Sequence, residues 1–125
     1  MVYPFRKPLI AAVSGLTFGG GLETAMMADI MLCTENTLLG QPEINLALVP
    51  GCGGAVRLAN RVGKSKAMEM LLTGDPIGAQ DALKWGLVNK IYPDYKTMMA
   101  GAMELAQKIA TKSMMAAGYT KRAIK

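Results

Sequence analysis

The sequence has 125 residues, of which 51% are apolar and 18% are charged, and its formal net charge is +5. These proportions are typical of one small globular domain, or a piece of one, and exclude a disordered segment. The sequence contains no histidine, which excludes a Ser-His-Asp or Cys-His triad and a histidine metal site. Proton transfer is therefore left to carboxylates, lysine, tyrosine or cysteine.

The modest basic charge would suit an anionic partner, such as a phosphate-bearing cofactor or a nucleic acid, but it selects neither. The two cysteines, Cys33 and Cys52, lack the C-x-x-C spacing of zinc sites, and they do not indicate a disulfide framework. We expect both thiols to be reduced and structural. No apolar run approaches the roughly 20 residues that cross a bilayer, so we expect no membrane span.

The first elements lead to a glycine-rich turn. Residues 8–13 form a short apolar run that predicts a buried strand. The glycines at 19–21 permit a tight turn and a close approach to a ligand. Residues 22–28 are mostly strong helix formers, so the glycines should lie at a helix N-terminus.

A carboxylate follows that turn at Glu23, and we expect it to project from the same side of the helix as Gly20. The free amides at a helix start would stabilise an oxyanion near Gly20. A purely structural role stays open, because the helix dipole alone favours an acidic residue in the first turn. A dinucleotide fingerprint is excluded, since it requires glycine at the position of Thr24.

A second carboxylate, Glu43, follows Gln41 and Pro42. Residues 29–34 predict a second strand, and the proline then forces a sharp corner. We expect Glu43 to lie on that corner, outside any regular element, and to be aimed at the same ligand as Glu23. The alternative is a solvated loop acid, because glutamate is usually exposed.

A second glycine-rich turn spans residues 50–54 and precedes a predicted helix over 55–61. Such loops can bind phosphates, so this turn is a further candidate anion site. A P-loop is excluded, because Leu58 stands where that motif needs glycine. We expect Ser65 to cap the next helix, over 66–72.

The remaining chain predicts a short helix over 78–85, a strand over 87–92 and an amphipathic helix over 98–112. A last helix is predicted over 114–125. Its basic residues Lys121, Arg122 and Lys125 form either a solvated face or, as an alternative, a phosphate contact.

The ordered segments of the chain, taken together, closely resemble those of the enoyl-CoA hydratase (crotonase) family. The resemblance implies an α/β fold, the crotonase-like (ClpP/crotonase) ββα spiral, of which the chain would hold a part. It is carried by residues 7–15, Gly19-Gly20-Gly21-Leu22-Glu23, Ala28-Asp29-Ile30, Gly40-Gln41-Pro42-Glu43-Ile44, Pro50-Gly51-Cys52-Gly53-Gly54, Leu72-Thr73-Gly74-Asp75 and Trp85-Gly86-Leu87-Val88.

The resemblance also implies roles for individual residues. Gly20 matches the glycine whose amide holds the thioester oxygen of an acyl-CoA. Glu23 and Glu43 match the two glutamates that handle the water added across the double bond. The residues that would line the substrate pocket are Gly19, Gly20, Pro42, Glu43, Leu46 and Gly51.

The implied reaction is syn hydration of a 2-trans-enoyl-CoA to a 3-hydroxyacyl-CoA, in fatty-acid or amino-acid degradation. The acyl-CoA would be the substrate, with no cofactor and no metal. Isomerases of the family commonly lack the acid that matches Glu23, so the presence of both acids favours hydration.

Family members are about twice as long, so residues 1–125 would form the central and C-terminal-side part of the domain, without the N-terminal half and the last helices. The second oxyanion-hole amide would then be missing, which costs about 3 kcal/mol of transition-state stabilisation. We therefore expect the chain alone to be a poor catalyst.

A complete protein would form a trimer or hexamer, in the mitochondrial matrix of a eukaryote or the cytoplasm of a bacterium. Three other functions stay open: a degenerate hydratase-like subunit with a structural role in a larger complex, an enoyl-CoA isomerase, and an RNA-binding homologue.

Overall fold

The structure is a computed structural model that describes residues 5–124. Within this range the chain forms two small sheets, six α-helices and one 3₁₀ helix. The strands are β1 (Ile10–Val13), β2 (Leu16–Phe18), β3 (Ile30–Thr34), β4 (Leu38–Gly40), β5 (Ile77–Gly78) and β6 (Lys90–Tyr92). The helices are α1 (Gly20–Ala25), α2 (Gly54–Val62), α3 (Lys64–Thr73), α4 (Ala79–Lys84), α5 (Tyr95–Ala110) and α6 (Met114–Ala123), and the 3₁₀ helix is Pro42–Leu46.

The first four strands alternate between the two sheets as the chain advances. One sheet has the order β1-β3-β6 and is parallel; the other has the order β2-β4-β5, with β2 and β4 parallel and β5 antiparallel. Each of the first two turns of chain adds a strand to the first sheet, a strand to the second sheet and then a helix, whereas β5 joins the second sheet before α4 and β6 joins the first sheet after it. The predicted ββα spiral is therefore confirmed.

Apolar clusters cover both faces of the first sheet. Side chains of a strand point alternately to its two faces, and in β3 Met31 and Cys33 join one cluster while Leu32 joins the other. The larger cluster contains buried apolar side chains of helices α1 to α4, and the smaller one contains Met98 and Ala102 of α5. This coverage explains why β1 and β3 read as continuous apolar runs.

Most predicted elements are confirmed, with shifted ends. The amphipathic helix begins earlier than expected, because the Asp94 side chain accepts a hydrogen bond from the Thr97 amide at 2.8 Å and so caps α5. The expected cap at Ser65 is wrong, since α3 already begins at Lys64 and Gly63 is its N-cap. Strands β2, β4 and β5 were not predicted.

The basic end of the last helix holds that helix to the sheet. Lys121 Nζ lies 2.9 Å from Asp29 Oδ2 and also donates to the Lys7 carbonyl oxygen at 2.9 Å. Arg122 lies over the Tyr119 ring, and Lys125 is outside the described residues. The contacts of Lys121 are thus with other parts of the protein. None of the helices within residues 5–124 is long and apolar enough to cross a bilayer.

Candidate active site

The first glycine turn joins the second sheet to α1. The Gly19 amide donates to the Gly40 carbonyl oxygen at 3.0 Å, and Gly19 has φ 54°, a conformation that favours glycine. Gly20 is the first residue of α1, so its amide has no intrahelical acceptor, and the turn and loop hydrogen bonds of residues 5–124 leave it unused. A Cβ added at Gly20 would meet no atom within 4 Å. Within residues 5–124 the Gly20 amide therefore has no hydrogen-bond acceptor, and the space beside its Cα is open.

The carboxylate of Glu23 is buried, with 4% of the residue exposed. Its Oε1 accepts hydrogen bonds from the Cys52 and Gly54 amides, both at 2.9 Å. These amides belong to the second glycine turn and to the first residue of α2, where the helix dipole favours an anion. The predicted anion site of that turn is thus filled by the protein's own carboxylate.

The two glycines nearest this carboxylate are needed for different reasons. A Cβ at Gly54 would lie 2.6 Å from Glu23 Oε1 and 2.9 Å from the Pro50 Cβ, so only glycine leaves room for the carboxylate. Gly53 has φ 86°, a left-handed conformation that costs an L-residue energy.

The second candidate acid, Glu43, is half-buried in the 3₁₀ helix. The expectation that it lies outside any regular element is wrong, because proline suits the first position of a helix as well as a corner. The Gln41 side-chain amide is buried, and with its nitrogen facing the carboxylate it donates to Glu43 Oε2 at 2.6 Å and to Oε1 at 3.2 Å. Glu43 is thus a held carboxylate rather than a solvated loop acid.

The first turn of α1 has the Glu43 carboxylate beside it and contains the backbone of Glu23. Glu43 Oε1 lies 3.4 Å from the position that a Cβ on Gly19 would occupy, and the Glu23 amide donates to the Gly19 carbonyl oxygen at 2.9 Å. One acid is held by the 3₁₀ helix and the other by the loop before α2. The structure therefore brings Glu43 to Gly19 and directs the Glu23 carboxylate from the same helix to the loop before α2.

The other predicted pocket residues lie on the same two segments. Pro42 begins the 3₁₀ helix and Leu46 ends it, and the Leu46 side chain is 75% exposed. Gly51 is exposed in the loop before α2. Their contact with a substrate stays a prediction.

Sequence reasoning missed the groups that orient the two acids. Gln41 was part of the motif but had no role, and the Cys52 and Gly54 amides were expected to meet an external anion. The sequence signal available for Gln41 was a side-chain amide two residues before an acid. The partner of the second turn has no local signal, because Glu23 lies 29 and 31 residues from these amides.

The end of α1 is fixed by an arginine of α2. Arg61 donates to the Met26 carbonyl oxygen at 3.1 Å and to that of Ala28. Burial lowers the pKa of the Arg61 guanidinium, and the negative charge of Asp29 opposes this shift. Since α1 is held at both of its ends, the position of Glu23 is well defined.

The site contains an exposed thiol, Cys52, whereas Cys33 is buried in the first sheet. Burial raises the pKa of the Cys33 thiol to about 11, and a hydrogen bond with Thr37 opposes this rise. Within residues 5–124, no three acidic, cysteine or histidine side chains gather in a way that could hold a metal ion.

Comparison with known proteins identifies the family of this chain. A model described as enoyl-CoA hydratase/isomerase matches residues 1–125. The chain belongs to the enoyl-CoA hydratase/isomerase family. The family resemblance and the crotonase fold predicted from the sequence are thus both confirmed.

Curated relatives in this family come from eukaryotes and bacteria. The mitochondrial enoyl-CoA hydratase of Pongo abelii is 50% identical over 95% of this chain and 41% of that protein. The 2,3-dehydroadipyl-CoA hydratase of Escherichia coli is 44% identical over 97% of this chain and 47% of that protein. The chain therefore spans less than half the length of these two relatives.

A solved hydratase has the same arrangement of elements. The carnitinyl-CoA hydratase of Mycobacterium avium superposes with a TM-score of 0.91 and 38% identity, over 96% of this chain and 46% of that chain. The spiral described above therefore occurs within a longer crotonase-fold chain.

Proposed function

We propose that the complete protein is an enoyl-CoA hydratase, which adds water across a 2-trans-enoyl-CoA to give a 3-hydroxyacyl-CoA. The observation that carries this proposal is a pair of held carboxylates with an unused amide: Glu43 lies beside the first glycine turn, Glu23 lies on the helix that the turn begins, and the Gly20 amide has no acceptor within residues 5–124. Hydration of a conjugated thioester needs these kinds of group: acids for the water and a donor for the oxygen.

The Gly20 amide would serve the thioester oxygen. Addition of water at the β-carbon moves negative charge onto that oxygen, so a fixed donor stabilises the transition state more than the ground state. The amide suits this role because no protein acceptor competes for it in the turns and loops of residues 5–124.

The two carboxylates would divide the proton transfers. One must accept a proton from the attacking water, while the other supplies a proton to the α-carbon. Glu23 uses Oε1 to accept the Cys52 and Gly54 amides, which leaves Oε2 to meet the water. Glu43 is oriented by the Gln41 amide and would act from the 3₁₀ helix.

The substrate would be an acyl-CoA, with Gly19, Gly20, Pro42, Glu43, Leu46 and Gly51 near its acyl end. The net charge of +5 suits the phosphates of coenzyme A. The names of the relatives support a fatty-acyl or related thioester. A trimer or hexamer, a role in β-oxidation, and a location in the mitochondrial matrix of a eukaryote or the cytoplasm of a bacterium belong to the same proposal.

Hydration of crotonyl-CoA by the complete protein tests the proposal through Glu23→Gln and Glu43→Gln. Each substitution keeps the size of the side chain and removes the acid, so we expect kcat to fall about 10²- to 10⁴-fold. Glu104→Gln is the matched control, since Glu104 is an exposed glutamate on α5. Unchanged rates in both site variants would end the proposal.

A further inference from the structure

We propose that Arg57 is a positioning residue, which fixes Glu23 by clamping the loop whose amides hold it; this inference rests on the proposed hydratase function. Arg57 lies in the first turn of α2, and its guanidinium Nη1 donates back to the Cys52 carbonyl oxygen. The side chain thus folds over the loop that precedes its own helix.

Cys52 is the residue on which both contacts meet. Its amide donates to Glu23 Oε1 at 2.9 Å, and its carbonyl oxygen accepts from Arg57. The two groups flank the Cys52 Cα, so the Arg57 contact restricts the rotation of the peptide unit that follows Cys52, and the Glu23 contact restricts that of the unit before it. Removal of the guanidinium would therefore release the amide that orients Glu23.

Gly53 shows that the guanidinium lies directly on the loop backbone. A Cβ added there would be 2.6 Å from Arg57 Nη1 and 3.2 Å from Cζ. Gly53 also has φ 86°, so both its conformation and its contact favour glycine. The Gly53 backbone and the Arg57 side chain thus fit each other.

The charge of Arg57 has no acidic partner among residues 5–124, where the ion pairs are Lys66–Glu69 and Lys121–Asp29. Its observed acceptor is the Cys52 carbonyl oxygen. Loops are mobile unless side chains hold them, and the rigid fork of arginine holds a carbonyl with less loss of freedom than a lysine would.

An arginine without an acidic partner could instead bind a phosphate of the substrate, and enzyme kinetics separate the two roles. Loss of a positioning residue lowers kcat at constant KM, whereas loss of a binding contact raises KM at constant kcat. Arg57→Ala in the complete protein, assayed with crotonyl-CoA, makes this distinction. Arg122→Ala is the matched control, because Arg122 lies on α6, over the Tyr119 ring.

For Arg57→Ala we expect kcat to fall about 10- to 100-fold, as for a small misplacement of a reacting group. KM should change by less than about twofold. Arg57→Lys should recover part of the rate, and added guanidinium ion should restore part of it in Arg57→Ala but none in Glu23→Gln. A rise in KM with normal kcat, or an unchanged kcat, would overturn the proposal.

Amide hydrogen exchange tests the clamp without any assay of activity. The Cys52 and Gly54 amides should exchange faster in Arg57→Ala than in the parent protein or in Arg122→Ala, because their hydrogen bonds to Glu23 open more often. Unchanged exchange would refute the clamp. If the parent protein does not hydrate crotonyl-CoA, but these amides exchange faster in Arg57→Ala than in the parent, the hydratase proposal is refuted and the clamp stands.

Discussion

Two glycine-led turns, at residues 19–21 ahead of α1 and at residues 51–54 ahead of α2, have similar sequences and different surroundings. A Cβ at Gly20 or Gly21 would meet no atom within 4 Å, whereas one at Gly54 would lie 2.6 Å from Glu23 Oε1. Within residues 5–124 the Gly20 amide of the first turn has no acceptor, and the second turn gives two amides to a buried carboxylate.

The difference shows that a glycine-rich helix start predicts the close approach of another group to the backbone, but it does not identify whether that group is a ligand or a side chain of the protein. In the first turn the free side is available to a ligand. In the second turn the approaching group is the carboxylate of Glu23. The backbone of Glu23 lies in α1, where its amide donates to the Gly19 carbonyl oxygen. One turn therefore supplies the candidate donor, and the other positions the candidate acid.

Of the substitutions at the two turns, Gly54→Ala should lower the stability of the protein most. The added methyl group would overlap Glu23 Oε1 and the Pro50 Cβ, so we expect the free energy of unfolding to fall by about 2 kcal/mol, as for overpacking. Chemical denaturation measures the loss. Gly21→Ala is the matched control, and an equal loss in both variants would contradict the assigned difference.

Gly53→Ala should have a smaller effect on the same turn. The left-handed backbone at φ 86° costs an alanine about 1 kcal/mol, while the overlapping Arg57 guanidinium is the far end of a flexible side chain and can move. Denaturation of Gly53→Ala and of the double variant Gly53→Ala/Arg57→Ala would show whether that overlap contributes. If Gly53→Ala were fully stable, the strain assigned to this turn would be wrong.

Gly20→Ala should have the smallest effect on stability, with the opposite sign. The position has helical backbone and open space around it, so the lower entropy of the unfolded alanine chain should raise the free energy of unfolding by about 0.5 kcal/mol. Thermal unfolding measures this gain. A clear loss of stability would mean that the space in front of Gly20 is occupied.

Alkylation of the two cysteines reports on the second turn without changing its stability. Cys52 is exposed in this turn, whereas Cys33 is buried and its pKa is raised to about 11. Because the thiolate is the reactive form, we expect a maleimide to modify Cys52 in the folded protein and Cys33 only after unfolding. Mass spectrometry of the labelled peptides measures this; equal labelling of both would contradict the burial.

Local patterns predicted the longer elements and some of their ends. The apolar run at β1 and the helix formers after Gly20 gave the correct element types, because those residues are selected by burial and by backbone preference over several positions. Strands β2, β4 and β5 have only two or three residues, and their pairing with distant segments leaves too little local pattern to recognise.

The candidate site was predicted in part. Gly20, Glu23 and Glu43 were named from the chemistry of their motifs and from the family resemblance. The Gln41 contact with Glu43 and the Cys52 and Gly54 contacts with Glu23 required the structure. Orientation of an acid depends on which backbone and side-chain donors the fold brings to it, and these come from separate segments.

The sequence by itself determined the fold class, the family and the identity of the candidate acids, since apolar patterning, glycine positions and motif order are local and additive. The tertiary structure alone decided which glycine turn is open and which is filled. Both turns have the same backbone chemistry. The difference comes from the parallel pairing of β1 with β3 and of β2 with β4, and from the packing of α1 beside α2. This arrangement carries Glu23 to the second turn and leaves the amide of Gly20 free.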